Sequence, residues 1–139
     1  MTDTTISVTG GCLCGKVRYT AAQASPQVSE CHCGQCRRQS GHRYAAVRAK
    51  TSGMVIDGED NITWFAASTY ARRGFCSACG SHLFWEGDDR DYIALLAASV
   101  DEPNALTMAR HIFVEGRGAY YHMDDGLPRF EGYDRPVDV

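Results

Sequence analysis

The sequence predicts a mostly β protein. Short apolar and aromatic segments recur with turn residues between them, one segment alternates with a period of two, and no stretch supports a long amphipathic helix. Lys16, Arg18 and Thr20 alternate with Val17 and Tyr19, the pattern of a half-buried strand. Residues 44–47, 54–56, 62–65, 82–85, 92–96 and 111–114 are rich in β-branched, aromatic or other apolar side chains and read as further strands. Asp57-Gly58 and Gly87-Asp88-Asp89 supply turns between them. Residues 35–40 predict a helical turn stopped by Gly41, a residue that enters the left-handed conformation without penalty. Trp64, Phe65, Phe84 and Trp85 are expected to pack the core, although an aromatic beside an open metal site can line a pocket instead.

The 139 residues suit a single domain spanning 1–139. Apolar residues at 44% and charged residues at 22% argue against wholesale disorder. A net charge of −3 argues against a protein devoted to coating nucleic acid or an anionic membrane. The longest apolar run, 92–98, is far below the roughly 20 residues that span a bilayer. MTDTTISVTGG carries neither a basic patch nor a hydrophobic segment, so the expected location is cytoplasmic, with no membrane or nucleic-acid partner.

Seven cysteines change the reading. An odd number of thiols in a chain without an export signal points to metal or redox chemistry rather than a disulfide framework. They fall into Cys12-x-Cys14, Cys31-x-Cys33-x-x-Cys36 and Cys76-x-x-Cys79. A structural zinc takes four protein ligands and a catalytic zinc takes three with one open position. Assigning Cys12, Cys14, Cys76 and Cys79 to one Zn²⁺, and Cys31, Cys33 and Cys36 to a second, uses every thiol. In an extended strand Cys12 and Cys14 face one side, so both reach one ion. Cys76-Ser-Ala-Cys79-Gly80 reads as a zinc knuckle, a tight turn whose amides point at sulfur. Iron–sulfur ligation also suits four thiolates. The trio can instead be closed by a histidine, with His32, His42, His111 and His122 as candidates.

Gly11-Cys-Leu-Cys-Gly-Lys-Val-Arg-Tyr19, Cys31-His-Cys-Gly-Gln-Cys-Arg-Arg-Gln-Ser-Gly41 and Phe75-Cys-Ser-Ala-Cys-Gly-Ser81 closely resemble the glutathione-dependent formaldehyde-activating enzyme family, also called the CENP-V/GFA domain. The resemblance continues through Ala97-Ala-Ser-Val-Asp-Glu-Pro103, His111-Ile-Phe113 and Asp125-Gly-Leu-Pro128, and covers about residues 8–133. It implies an Mss4-like fold of several small coiled antiparallel sheets around zinc. It also implies that Cys12, Cys14, Cys76 and Cys79 match the structural zinc ligands, and Cys31, Cys33 and Cys36 the catalytic ones. The implied activity is that of a carbon–sulfur lyase joining glutathione to formaldehyde as S-hydroxymethylglutathione.

A zinc held by three thiolates is a weak generator of hydroxide but keeps an incoming thiol deprotonated, so the expected partner is a small thiol such as glutathione. Arg37, Arg38, Arg43 and Arg73 are candidates to bind its carboxylates, each weighed against an ordinary solvated charge. Asp101, Glu102, His111 and Asp125 are candidate acids or bases on position in the resemblance alone. Two other classes stay open: a non-catalytic interaction module with both metals structural, and a redox sensor built on the middle cluster.

Overall fold

The computed structural model describes residues 4–133. Ten strands and one short helix make up its regular structure: β1 (Ile6–Gly11), β2 (Arg18–Ala24), β3 (Gln27–Cys31), α1 (Gly34–Ser40), β4 (Tyr44–Lys50), β5 (Met54–Asp57), β6 (Ile62–Phe65), β7 (Ala71–Cys76), β8 (His82–Gly87), β9 (Tyr92–Leu96) and β10 (Thr107–Ile112). The protein is mostly β, as the sequence predicts. All strands belong to one hydrogen-bonded network with the path β1-β2-β4-β9-β8-β7-β6. β5 adds to β2, and β3 pairs with both β4 and β10. Every pairing is antiparallel except β3 with β10, which is parallel.

The alternation read around Val17 and Tyr19 falls on β2 and the residue just before it: both are buried, and Arg18 and Thr20 are exposed. Val17, Tyr19, Val47, Leu83, Phe84 and Leu95 are 2% exposed or less and fill the main core. A smaller apolar cluster joins Cys31 and Cys36 of the middle group to Tyr44, Leu96 and Ile112. The helix ends where expected: Gly41 has φ +88°, and its amide donates to Arg37 O at 2.9 Å.

Four details depart from the expectations. The last strand starts before its expected span 111–114 and stops inside it at Ile112, because Phe113 adopts a left-handed φ of 53° that a strand cannot accommodate. β3 and β7 carry too little apolar alternation to be read as strands. In β7 the buried positions include Arg73 and Gly74, and Gly74 makes room for the Trp64 ring (a Cβ there would stand 2.9 Å from its Cζ3). Of the four aromatics expected inside, Phe84 is buried and Trp64 stacks on it at 6.0 Å, whereas Phe65 is 56% exposed and Trp85 faces a cavity. Phe65 ends β6, the terminal strand of the path. Finally, Cys12 and Cys14 are not in an extended strand. β1 ends at Gly11, and residues 12–17 form a turn in which Gly15 N donates to Cys12 O at 3.3 Å and Cys12 N to Val17 O at 3.1 Å. Among the described residues no helix is long and apolar enough to cross a membrane.

Candidate metal centres

Two turns 62 residues apart in sequence bring the outer cysteines together. In the first, Gly15 has φ +82°, which lets the chain reverse after Cys14. The Val17 amide then points at Cys12 Sγ from 3.3 Å. In the second, Gly80 has φ +78°, and its amide donates to Cys76 O at 2.8 Å. The two turns are held to each other by Leu13 N donating to Ser81 Oγ at 3.0 Å. The sulfurs of Cys12, Cys14, Cys76 and Cys79 all lie within 4.8 Å of one another. Cys12 to Cys14 is 3.6 Å and Cys14 to Cys76 is 3.7 Å. Sulfurs around a tetrahedral ion with bonds of about 2.3 Å stand about 3.8 Å apart, so this spacing fits a metal ion. Ser81 aids the set: its hydroxyl, then its backbone, pushes the Cys79 thiol down to about 5.

The sulfurs of Cys31, Cys33 and Cys36 form a second group within the same limit. Cys31 ends β3, and Cys33 caps the helix, its Sγ accepting from Cys36 N at 3.3 Å. The first helical turn then swings Cys36 back toward the other two. Crowding makes the three thiols compete for protons. Hydrogen bonds from Cys31 first and then Cys36 push Cys33 down to about 2, and Cys31 is pushed up by the same neighbours. Such a group holds a divalent cation readily, because the cation replaces the protons. Among the described residues no histidine joins this group. His32 turns away to His111 and Tyr121, and His42 accepts or donates to Tyr120 Oη at 2.7 Å on the surface. His122 is exposed.

Cys31, Cys33 and Cys36 all line a cavity of about 500 Å³. Tyr44, Trp85, Tyr92 and Phe113 give it aromatic walls, and Arg48 and Arg73 bring two guanidiniums to it. Arg73 is buried and lies against Cys36, 3.6 Å from its Sγ, with Gln35 Oε1 accepting at 3.3 Å. Arg48 lies over the Tyr92 ring at 4.7 Å. Of the candidate arginines only Arg73 reaches the cavity. Arg43 pairs with buried Glu30 at 3.2 Å, Arg38 is exposed, and Arg37 is half-buried on the helix. Asp101 is taken up by Arg18 and by Thr9 Oγ1, which donates at 2.7 Å, across β1 and β2. Glu102 is exposed in the loop after it. His111 and Asp125 do meet, Nε2 to Oδ2 at 2.8 Å, but behind β3 rather than in the cavity.

Arg48, Tyr44 and Tyr92 were not singled out from the sequence. Arg48 carries a signal in retrospect: it interrupts an otherwise apolar β4 on the same face as Tyr44 and Ala46. Glu30 was also missed, a lone acid inside a segment with no apolar alternation.

A protein of Schizosaccharomyces pombe described as an uncharacterized lyase is 33% identical over 76 residues. That match takes in 55% of this chain and 55% of the other, so the chain spans about half the length of the curated relative it matches. A crystal structure of a Rhodobacter sphaeroides protein superposes with a TM-score of 0.56 at 21% identity, covering 87% of this chain and 98% of that one, and so shares the fold. The family described as glutathione-dependent formaldehyde-activating enzyme matches residues 7–116, across both cysteine-lined centres and the cavity between β4, β8 and β9, and this chain belongs to that family.

Proposed function

We propose that the protein is a zinc-dependent carbon–sulfur lyase that joins a small thiol, glutathione in the first instance, to formaldehyde or a related carbonyl compound. In this reading Cys12, Cys14, Cys76 and Cys79 hold a structural zinc. Cys31, Cys33 and Cys36 hold the second zinc and leave one coordination position for substrate. The observation that carries the reading is that Cys31, Cys33 and Cys36 all line one cavity of about 500 Å³.

Bound by the trio, zinc supplies a Lewis acid that keeps an incoming thiol in its thiolate form at neutral pH. The chain supplies the rest. Arg73 places a buried positive charge beside Cys36 and offsets the excess negative charge of three thiolates. Arg48 presents a guanidinium suited to a substrate carboxylate, held in place on the Tyr92 ring. The aromatic walls give the cavity an apolar lining beside the trio. The reaction forms one carbon–sulfur bond, opens the carbonyl double bond, and moves one proton from sulfur to the new hydroxyl. Its main catalytic requirement is therefore positioning.

Exchange spectroscopy on mixtures of formaldehyde and glutathione tests this directly. The expected result is faster interconversion of free and hydroxymethylated thiol with the protein than in buffer, abolished by Cys33→Ala. Equal rates with and without the zinc-loaded protein would overturn the reading.

A further inference from the structure

Glu30 and His32 project from β3 and the residue after it, on the side opposite the cavity-lining Ser29 and Cys31. Beneath them lies His111 of β10. All three are buried, with Glu30 5% exposed and each histidine 1%. The geometry points to a further metal site here: Glu30 Oε1, His32 Nε2 and His111 Nδ1 would bind one divalent transition-metal ion of the zinc class, clipping β3 to β10 behind the cysteine trio. This inference does not rest on the proposed reaction.

The spacing is the first argument. His32 Nε2 is 2.9 Å from His111 Nδ1, and Glu30 Oε1 is 3.2 Å from that nitrogen and 3.6 Å from His32 Nε2. Nitrogen and oxygen donors around a tetrahedral ion, with bonds of about 2.0–2.1 Å, stand about 3.3 Å apart. All three edges of the triangle sit close to that length. An ion can therefore touch every donor at once.

The outer partners are the second argument. His111 Nε2 faces Asp125 Oδ2 at 2.8 Å, so that nitrogen carries the proton and donates it. In the neutral ring Nδ1 then presents a lone pair toward the Glu30 carboxylate. His32 is arranged alike, its Nδ1 held by Tyr121 Oη at 2.6 Å and its Nε2 turned inward. A ligating histidine has its remote nitrogen fixed by a carboxylate or hydroxyl in this way. With both remote nitrogens protonated, three acceptors would face one another in this buried space, and a cation among them would satisfy them together. A single shared proton satisfies the 2.9 Å edge only, whereas a cation satisfies all three. Arg43 occupies the other carboxylate oxygen of Glu30, 3.2 Å from Oε2, and leaves Oε1 to the site.

Cobalt titration of the full chain separates the sites, because thiolate-bound Co²⁺ gives strong near-ultraviolet charge-transfer bands and a histidine–carboxylate site gives only weak visible bands. The expected result is a further equivalent of Co²⁺ that adds visible absorption after the thiolate bands saturate. Glu30→Gln and His111→Gln should each lose that equivalent and keep the thiolate bands, and zinc analysis of the purified chain should fall by one ion. Should either variant fail to fold, the unmodified chain decides by itself. Saturation of all absorption together, with no equivalent beyond the thiolate-bound ions, would overturn the inference and leave a proton-bridged pair. Failure of the cysteine trio to bind metal would instead weaken the thiolate bands, which distinguishes it from failure here.

Discussion

Both terminal nitrogens of Arg73 stand 3.6 Å from the Sγ of Cys36. Burial alone would lower the pKa of this guanidinium, but the facing Cys36 more than offsets that and raises it. The pair therefore joins a buried cation to a cluster that is anionic once its thiols ionise. Arg73→Ala is expected to cost about 1.5–3 kcal/mol of stability, the range for hydrogen bonds to charged groups. It should also weaken metal retention by the trio about 10–100-fold, as loss of an outer-shell partner does. Competition with a chromogenic chelator measures the second effect. Unchanged retention would mean that Arg73 only packs against Tyr44, whose ring centroid is 5.1 Å away.

The two cysteine sets are expected to respond differently to loss of a sulfur. Cys12, Cys14, Cys76 and Cys79 join turns far apart in sequence, and structural zinc sites supply about 10–16 kcal/mol of apparent binding free energy. That is the size of a whole domain's stability, roughly 5–15 kcal/mol. Cys76→Ser should therefore abolish the cooperative thermal transition. Cys33→Ala removes a ligand that is local to β3 and α1, so it should keep the transition and lose one zinc. Circular dichroism melts paired with metal analysis check both. An unfolded Cys33→Ala protein would make the middle site structural.

Much of the candidate site could be read from the chain, because thiols at short spacing report on metal regardless of fold. Cys31, Cys33 and Cys36 need only a strand end and one helical turn to converge, and both are local. The cavity is different. Its walls come from β4, β8, β9 and the segment after β10, so Tyr44, Trp85, Tyr92 and Phe113 meet only through long-range strand pairing. Charge misled the reading as well. Arg73 looks like a surface residue by type, yet it lies on the buried face of β7 because a sulfur cluster waits for it. The parallel pairing of β3 with β10, 79 residues apart between His32 and His111, leaves no local trace at all.

Gly10 tests the join between β1 and the 97–100 turn. A Cβ at this position would lie 2.3 Å from both Ser99 O and Tyr19 Oη. Neither can withdraw easily, since Tyr19 is buried and its hydroxyl shares a 2.7 Å hydrogen bond with Ser99 Oγ. Gly10→Ala should destabilise by about 3 kcal/mol, the upper end of ordinary overpacking. Urea denaturation reads it as a lower midpoint with an unchanged slope. A midpoint within error of the parent would mean that the turn moves freely.

Arg48 offers the sharpest division between a thiol pocket and a glutathione pocket. Its guanidinium borders the same cavity as the trio and is held over Tyr92 at 4.7 Å. A carboxylate-bearing thiol placed there gains a charge-assisted hydrogen bond of about 1.5–3 kcal/mol, equal to about 10–100-fold in affinity. A small neutral thiol such as 2-mercaptoethanol gains nothing from it. Arg48→Ala should thus raise the Kd for glutathione by that factor and leave the Kd for 2-mercaptoethanol unchanged, with zinc content constant. Arg48→Lys should restore part of the loss, since it keeps the charge but not the planar fork. Calorimetric titration with both thiols measures the split. Equal weakening for the two would show that Arg48 shapes the cavity wall through Tyr92 rather than reading the substrate's charge.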